Sequence, residues 1–538
     1  MKLRRIAPLL TASLAAVIGC SHARFRDQPV VWSVDDTRAI PEPEERDYLI
    51  KQYFADLFVM RRLERALTLP DQERAWNVNA LEEVPDSAWF QNRLGRKPFS
   101  NEEIARGPDT KGPPKAPFTV KAGKVGGGAL GFVMTDANDR SFLVKFDRKE
   151  NPEMQTGSNV VVNRMFHAFG FQVPADYVID LPRDQLVIGK KAMAKNDLGE
   201  KVPYTQAMLD EVLAGGPAPK AGLYRATASE YLSGVPKGGF SAEGVRHDDV
   251  NDVVPHQHRR ELRGLRVLAA WTNHTDMKED NTLDMYIEDG GKKYLRHYLV
   301  DFGEALGGHG AEKLRKEDGY EHFFDWEHQP KALFTFGLHD RHWEGLKPTG
   351  FIALGWFGSD VDWDPKTWRE AYPWFPFMEM DRTDAFWAAK IIVKFTREHI
   401  QAIVAQAQFS EPGANQYLVD VMEKRKLAIG RTYLEALSPL DDFEVNGDKL
   451  CATDVGVRHG IVRYGVLERL DDDGEVAESV EILNRYANDA RACVKIPTGA
   501  GYAVVKLRSR RGDTVKPPLE VHLKTGPDAR VLGLIRDP

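Results

Sequence analysis

The stretch His274-Thr275-Asp276-Met277-Lys278-Glu279-Asp280-Asn281, followed by Asp301-Phe302-Gly303, decides how this chain of 538 residues is read. It sets a carboxylate, an amine and an amide (Asp276, Lys278, Asn281) within one short loop. Between the two motifs lie strand-like runs over 283–287 and 294–300, joined at Asp289-Gly290-Gly291, which is turn chemistry suited to a tight hairpin. A second carboxylate, Asp301, closes the hairpin. Alone, the first motif also suits a solvated loop with a helix cap, and the second any strand-ending turn.

Working upstream, Lys145 is embedded in the apolar run Phe142-Leu143-Val144-Lys145-Phe146. A lone ammonium turned inward from a strand is costly unless an anion waits there, whereas on an alternating strand it can simply face water. Both readings stand at this level. Before it, Gly126-Gly127-Gly128-Ala129-Leu130-Gly131 fits G-x-G-x-x-G, but between two strand-like runs rather than between a strand and a helix. That context disfavours a dinucleotide fold. The glycines are either a plain turn or a hairpin whose missing Cβ atoms let backbone N–H groups approach phosphate oxygens.

H-x-D-x-K-x-x-N, then D-F-G, downstream of a glycine loop and a strand Lys, resembles the protein-kinase-like superfamily over residues 118–306. The flanks look more like atypical bacterial kinases of the HipA toxin or CotH spore-coat type. The resemblance implies an α+β, bilobal kinase-like fold with a β-rich lobe (118–200) and a helical lobe (201–437). It further implies that Asp276 takes the proton of an attacking hydroxyl and that Lys278 neutralises the moving phosphoryl group. Asn281 and Asp301 would hold Mg²⁺, Lys145 the α/β-phosphates of ATP, and Gly126, Gly128 and Gly131 would cover them. Nucleotide is then one partner, and a protein, sugar or small-molecule hydroxyl the other.

Two positions depart from that pattern. The kinase lysine normally pairs with a helix Glu, yet residues 157–169 contain no acid. Asn159 occupies the expected place, and Glu153 is the near alternative. Thr275 stands where regulated kinases carry Arg, so a phosphate-pairing switch is not expected. The alternative is a pseudokinase or scaffold that uses the same cleft, or its C-terminal domain, for recognition.

Lys2, Arg4 and Arg5 precede an apolar stretch that closes on Val17-Ile18-Gly19-Cys20, the layout of a secretory signal. It resembles a bacterial lipobox, which implies removal of the signal, lipidation of Cys20, and anchoring of the chain to a bilayer in the cell envelope. Residues 21–45 read as a tether. Residues 46–117 read as a helical extension, with Leu49, Tyr53, Leu57, Met60, Leu63 and Leu67 at helical spacing. Residues 438–538 read as an all-β, sandwich-like domain. Its Cys451 and Cys493 are expected to form a disulfide in an oxidising compartment, with two buried thiols as the alternative. At 42% apolar and 28% charged residues the chain is globular, and a net charge of −7 argues against nucleic acid as a partner.

Overall fold

The computed structural model describes residues 24–46, 50–61, 63, 67, 73–124, 128–196, 199–310, 314–358, 363–483, 490–499 and 501–537. The expectations for the signal segment 1–20, for Cys20 and for Gly126 lie outside them.

Alternation builds the first lobe. In the strand Ser141–Phe146, Phe142, Val144 and Phe146 are buried on one face, which puts Leu143 and Lys145 on the other. The sheet's strands are Phe118–Gly123 (β1), Leu130–Thr135 (β2), Ser141–Phe146 (β3), Asp176–Pro182 (β4), Leu186–Lys195 (β5), Lys201–Pro203 (β6) and Leu223–Glu230 (β7). They run in the order β4-β7-β3-β2-β1-β5-β6, with β1 and β5 parallel. One face packs on the helix Gln206–Gly215 through Leu209 and Leu213. The other receives the helix Met154–Phe169, which is buried along almost its whole length. The β-rich lobe therefore does not end near residue 200. β7 inserts between β3 and β4, an order that only cross-strand hydrogen bonding decides.

The helical lobe is built on Arg260–Thr272, Arg382–Ile392, Arg397–Val404 and Ala414–Ile429. Trp271, Trp368, Trp374 and Trp387 are fully buried there, so most of the aromatic run near residue 370 is core. Arg382–Ile392 and Arg397–Val404 are two helices rather than one, because Thr396 caps a new helix start with its side chain. Val161, Phe166 and Phe169 of the first lobe's helix belong to the same core. Arg225 of β7 also donates to the carbonyls of Ala407 and Gln408. The two lobes are thus joined by packing and by polar contacts.

The central hairpin, Thr282–Asp289 with Lys292–Leu299, turns on Gly290 and Gly291, both at positive φ (57° and 75°). The C-terminal domain has a three-stranded sheet (Leu440–Asn446, Lys449–Asp454, Arg491–Lys495) and a separate six-stranded sheet around its own core of Leu450, Leu467, Leu507 and Val521. Cys451 and Cys493 sit directly opposite each other and are disulfide-bonded.

The N-terminal segment differs from its reading as a tether. From Arg24 onward it lies against the body: the backbone of Phe25 donates to the Tyr502 hydroxyl, and Ile40 is buried with its N–H on the Lys293 carbonyl. The extension's helical stripe is only partly used, its Leu49 lying outside the described residues. Tyr53 and Leu57 are buried, whereas Met60, Leu63 and Leu67 are exposed. Among the described residues no helix is long and apolar enough to cross a membrane.

Candidate active site

Lys145 and Asp301 meet where the two lobes join: Lys145 Nζ lies 2.8 Å from Asp301 Oδ1. Strand alternation delivers the amine, and the end of the central hairpin delivers the acid. Asp301 adopts a left-handed backbone (φ 62°), a conformation Asp tolerates better than most residues, and this marks the turn out of the strand. Burial would push its pKa up, but Lys145, then Lys278 and Lys124, hold the carboxylate below its ordinary value. Its side chain is 43% exposed, so the pair is solvent-screened, and such pairs contribute about 0–1 kcal/mol. Incoming phosphates or a cation can therefore replace either partner at little cost.

The loop after Arg260–Thr272 holds the second carboxylate. Lys278 Nζ donates to both oxygens of Asp276 (2.7 and 3.0 Å), and Asn281 Nδ2 donates to Asp276 Oδ2 (2.8 Å) and to its carbonyl (2.7 Å). Asp276 is thus fixed in one rotamer by a cation and an amide from its own loop. Burial disfavours the Lys278 ammonium, yet Asp276 outweighs it and raises the Lys278 pKa.

Phe302 joins the two halves of the site. It is fully buried, edge-on to Phe166 of the helix Met154–Phe169 and close to His274. His274 Nδ1 lies 3.1 Å from the Glu304 carbonyl, and burial lowers the His274 pKa, so the ring is neutral near pH 7.

Asn159 does not contact Lys145 as the sequence reading supposed. Its Nδ2 donates to Asp176 Oδ2 of β4 (2.6 Å), and its Oδ1 accepts from the Phe302 N–H (3.1 Å). Glu153 is not the lysine's partner either. It accepts from the Ser410 backbone and hydroxyl and pairs with Lys220, bridging the lobes instead. Both differences have one cause: a residue's direction around a buried helix is set by what packs on each face.

Gly131 stands opposite Lys145 in the β2–β3 register. A Cβ there would lie 2.1 Å from the Val144 carbonyl, so close strand packing already demands glycine, whether or not phosphates approach. Gly128 has open space where its Cβ would be, and its carbonyl accepts from Arg148.

Three further residues belong to the site and were not singled out from the sequence. Lys124, the residue after β1, lies beside the Gly131 position, and burial followed by the Lys145 charge lowers its pKa. Glu304 directly follows Asp301-Phe302-Gly303, and burial, then the Asp276 charge, raises its pKa to about 8. Its adjacency to that motif was the available signal. Tyr372 places its ring 5.2 Å from Lys278 Nζ and forms one wall of an open apolar groove of about 560 Å³ with Phe54, Phe58, Phe323, Phe324 and Trp326.

The donor set suits Mg²⁺. That ion keeps several waters and needs only one or two protein carboxylates, and here the exposed Asp301 carboxylate and the Asn281 amide are hard oxygen donors. Among the described residues no larger His, Cys, Asp or Glu cluster forms a metal cage. Lys124 and Lys145 lie near enough for their charges to interact, and two neighbouring ammonium groups suit a polyphosphate.

No protein-family model matches the chain, and no curated protein matches it. Among solved structures, a crystal structure of the Golgi casein kinase with Mn/ADP bound matches at 13% identity and a TM-score of 0.30, over 59% of this chain and 73% of that one. A second crystal structure of the Golgi casein kinase matches at 12% identity and the same TM-score, over 74% and 95%. Likeness at this level leaves the functional reading to the geometry of the site itself.

Proposed function

We propose that the protein is a membrane-anchored, atypical kinase-like phosphotransferase that moves the γ-phosphoryl group of ATP to a hydroxyl acceptor. The observation that carries this reading is convergence: Lys145 from the sheet, Asp301 from the hairpin end and the Asp276–Lys278–Asn281 unit from the helical lobe share one junction. Phosphoryl transfer needs positioning and counter-charge more than covalent help, and these residue types supply both.

Asp276, locked by Asn281 and Lys278, accepts the proton of the acceptor hydroxyl as its oxygen bonds to the γ-phosphorus and the bond to the β-phosphate oxygen breaks. Lys278 offsets charge on the moving group. Lys145 and Lys124 bind phosphate oxygens once Lys145 leaves Asp301. Mg²⁺, held by Asp301 and Asn281, would neutralise the phosphates. The aromatic groove beside Lys278 offers apolar surface to the body of an acceptor. What supports the anchor, and with it a bacterial cell-envelope location, is the lipobox-like layout of the basic, apolar segment that ends at Cys20.

One observation favours the alternative, a pseudokinase that only binds: no helix acid supports Lys145, and its contact is with Asp301. Transfer of labelled γ-phosphate by the detergent-solubilised full chain, beside Asp276→Ala and Asp301→Ala, tests the proposal. Labelling by the wild type that falls at least a hundredfold in both variants is expected, to the order of magnitude typical of catalytic groups. Equal labelling by all three overturns the enzyme. Nucleotide binding without labelling selects the pseudokinase.

A further inference from the structure

Glu279 lies in the loop between Lys278 and Asn281, the two residues that grip Asp276, yet its own carboxylate goes to other partners. The side chain is fully buried, and three donors from outside the loop hold it. The Ala242 N–H donates to Oε1 (2.8 Å), Arg61 Nη1 lies 3.3 Å from the same oxygen, and Arg46 Nη2 donates to Oε2 (2.9 Å). Two of these donors are cations, and both belong to the N-terminal extension, 233 and 218 residues away along the chain.

The connection to Asp276 is short. Glu279–Asn281 is one 3-10 turn: its first residue carries the buried carboxylate, its last the amide that donates to Asp276, and Lys278 directly precedes it. The turn is packed tightly, since the Glu279 carbonyl accepts from the Thr282 hydroxyl (2.7 Å) and a Cβ at Gly239 would lie 2.1 Å from that carbonyl. Arg46 is itself fixed there, with Nη1 on the Gly239 carbonyl (3.0 Å) and its backbone N–H on the Lys237 carbonyl (3.0 Å). Arg61 follows the helical segments Ile50–Ala55 and Asp56–Met60 and also donates to Asp56 (2.6 Å). A buried carboxylate stays charged at little cost only while it is paired and hydrogen-bonded. Without the two guanidinium groups the turn would have to move or open to let water reach Glu279.

We propose that Arg46 and Arg61 are positioning residues for the catalytic loop: acting through Glu279, the N-terminal extension holds the turn Glu279–Asn281, and with it Lys278 and Asn281, where they fix Asp276. The same extension supplies Phe54 and Phe58 to the groove that Tyr372 borders. This deepens the phosphotransferase reading and rests on it for the effect on turnover, whereas the effect on the loop stands apart from it.

The test uses the detergent-solubilised full chain. Amide hydrogen exchange, read by mass spectrometry, is followed in peptides covering 274–281 and, as a reference, 142–146. Arg46→Ala and Arg61→Ala are each expected to speed exchange in the loop about threefold, and the double variant about tenfold or more, with the reference strand unchanged. Arg46→Lys and Arg61→Lys, which keep the charge, are expected to recover most of the protection. Arg38→Ala is the control, because Arg38 ties the extension to the body at Val250 and Asn251 instead. It is expected to leave the loop as in the wild type. Unchanged loop exchange in the double variant overturns the proposal, as does equal acceleration in the reference strand, the same loop response to Arg38→Ala, or lysine variants no better than alanine. In the transfer assay the double variant is expected to lower kcat about tenfold or more while the KM for ATP stays within about twofold, the split that marks loss of positioning in the transition state. A raised KM with unaltered kcat contradicts it. A wild type that transfers no phosphate removes the enzymatic reading, while the exchange comparison still decides whether the extension holds the loop.

Discussion

Asn281 donates from one amide nitrogen to both the carboxylate and the backbone carbonyl of Asp276. Holding a charged oxygen this way is worth about 1.5–3 kcal/mol. Asn281→Ala is therefore expected to lower phosphate transfer about ten- to a hundredfold. Binding of metal-free ADP, measured by calorimetry, should not change. Loss of ADP affinity with unaltered turnover would contradict this placement.

Lys145 and Lys124 act on the same ligand. Each is expected to contribute to polyphosphate affinity, Lys145→Ala costing about tenfold or more and Lys124→Ala several-fold, because charge-assisted bonds to phosphate are the stronger kind. The check is a fluorescent-nucleotide titration at two salt concentrations, where each variant should show the shallower salt dependence.

Glu304 should make stability fall with rising pH. Its native pKa is raised to about 8 from 4.5, so between those values the folded protein holds a proton that the unfolded chain has lost. Stability conferred by that proton is present below pH 4.5 and is lost as pH rises through about 8. Glu304→Gln, which cannot ionise, is expected to unfold at a higher urea concentration than the wild type at pH 8 but not at pH 5. Parallel midpoints across that range would show that Glu304 titrates normally.

The Cys451–Cys493 bond closes a long loop inside the C-terminal domain. Replacing both by Ser is expected to cost that domain about 2–4 kcal/mol, read as an earlier denaturant transition. Nucleotide binding at the distant Lys145 site should be untouched. A single transition that shifts together with nucleotide affinity would show instead that the domain and the lobes unfold as one unit.

Much of the site is legible along the chain because its parts are local. Asp276, Lys278 and Asn281 lie on one loop, and their mutual bonds span five residues or fewer. The hairpin that leads to Asp301 announces itself through Asp289-Gly290-Gly291, since few residues besides glycine accept positive φ. Lys145 was readable as a strand residue, but its face was not. Whether it met water or an anion depended on which residues of the strand went to the lobe's core.

What the sequence determined was the inventory and order of charged groups, and the alternation and turn chemistry that fold each segment. The tertiary structure alone decided who meets whom. β7 is inserted between β3 and β4, Asn159 turns to Asp176 and Phe302 rather than to Lys145, and Glu153 bridges to Ser410. Local periodicity fixes only which side chains of a segment share a face. Its partner is chosen by hydrogen-bond pairing and close packing between segments far apart in the chain, which no local pattern encodes.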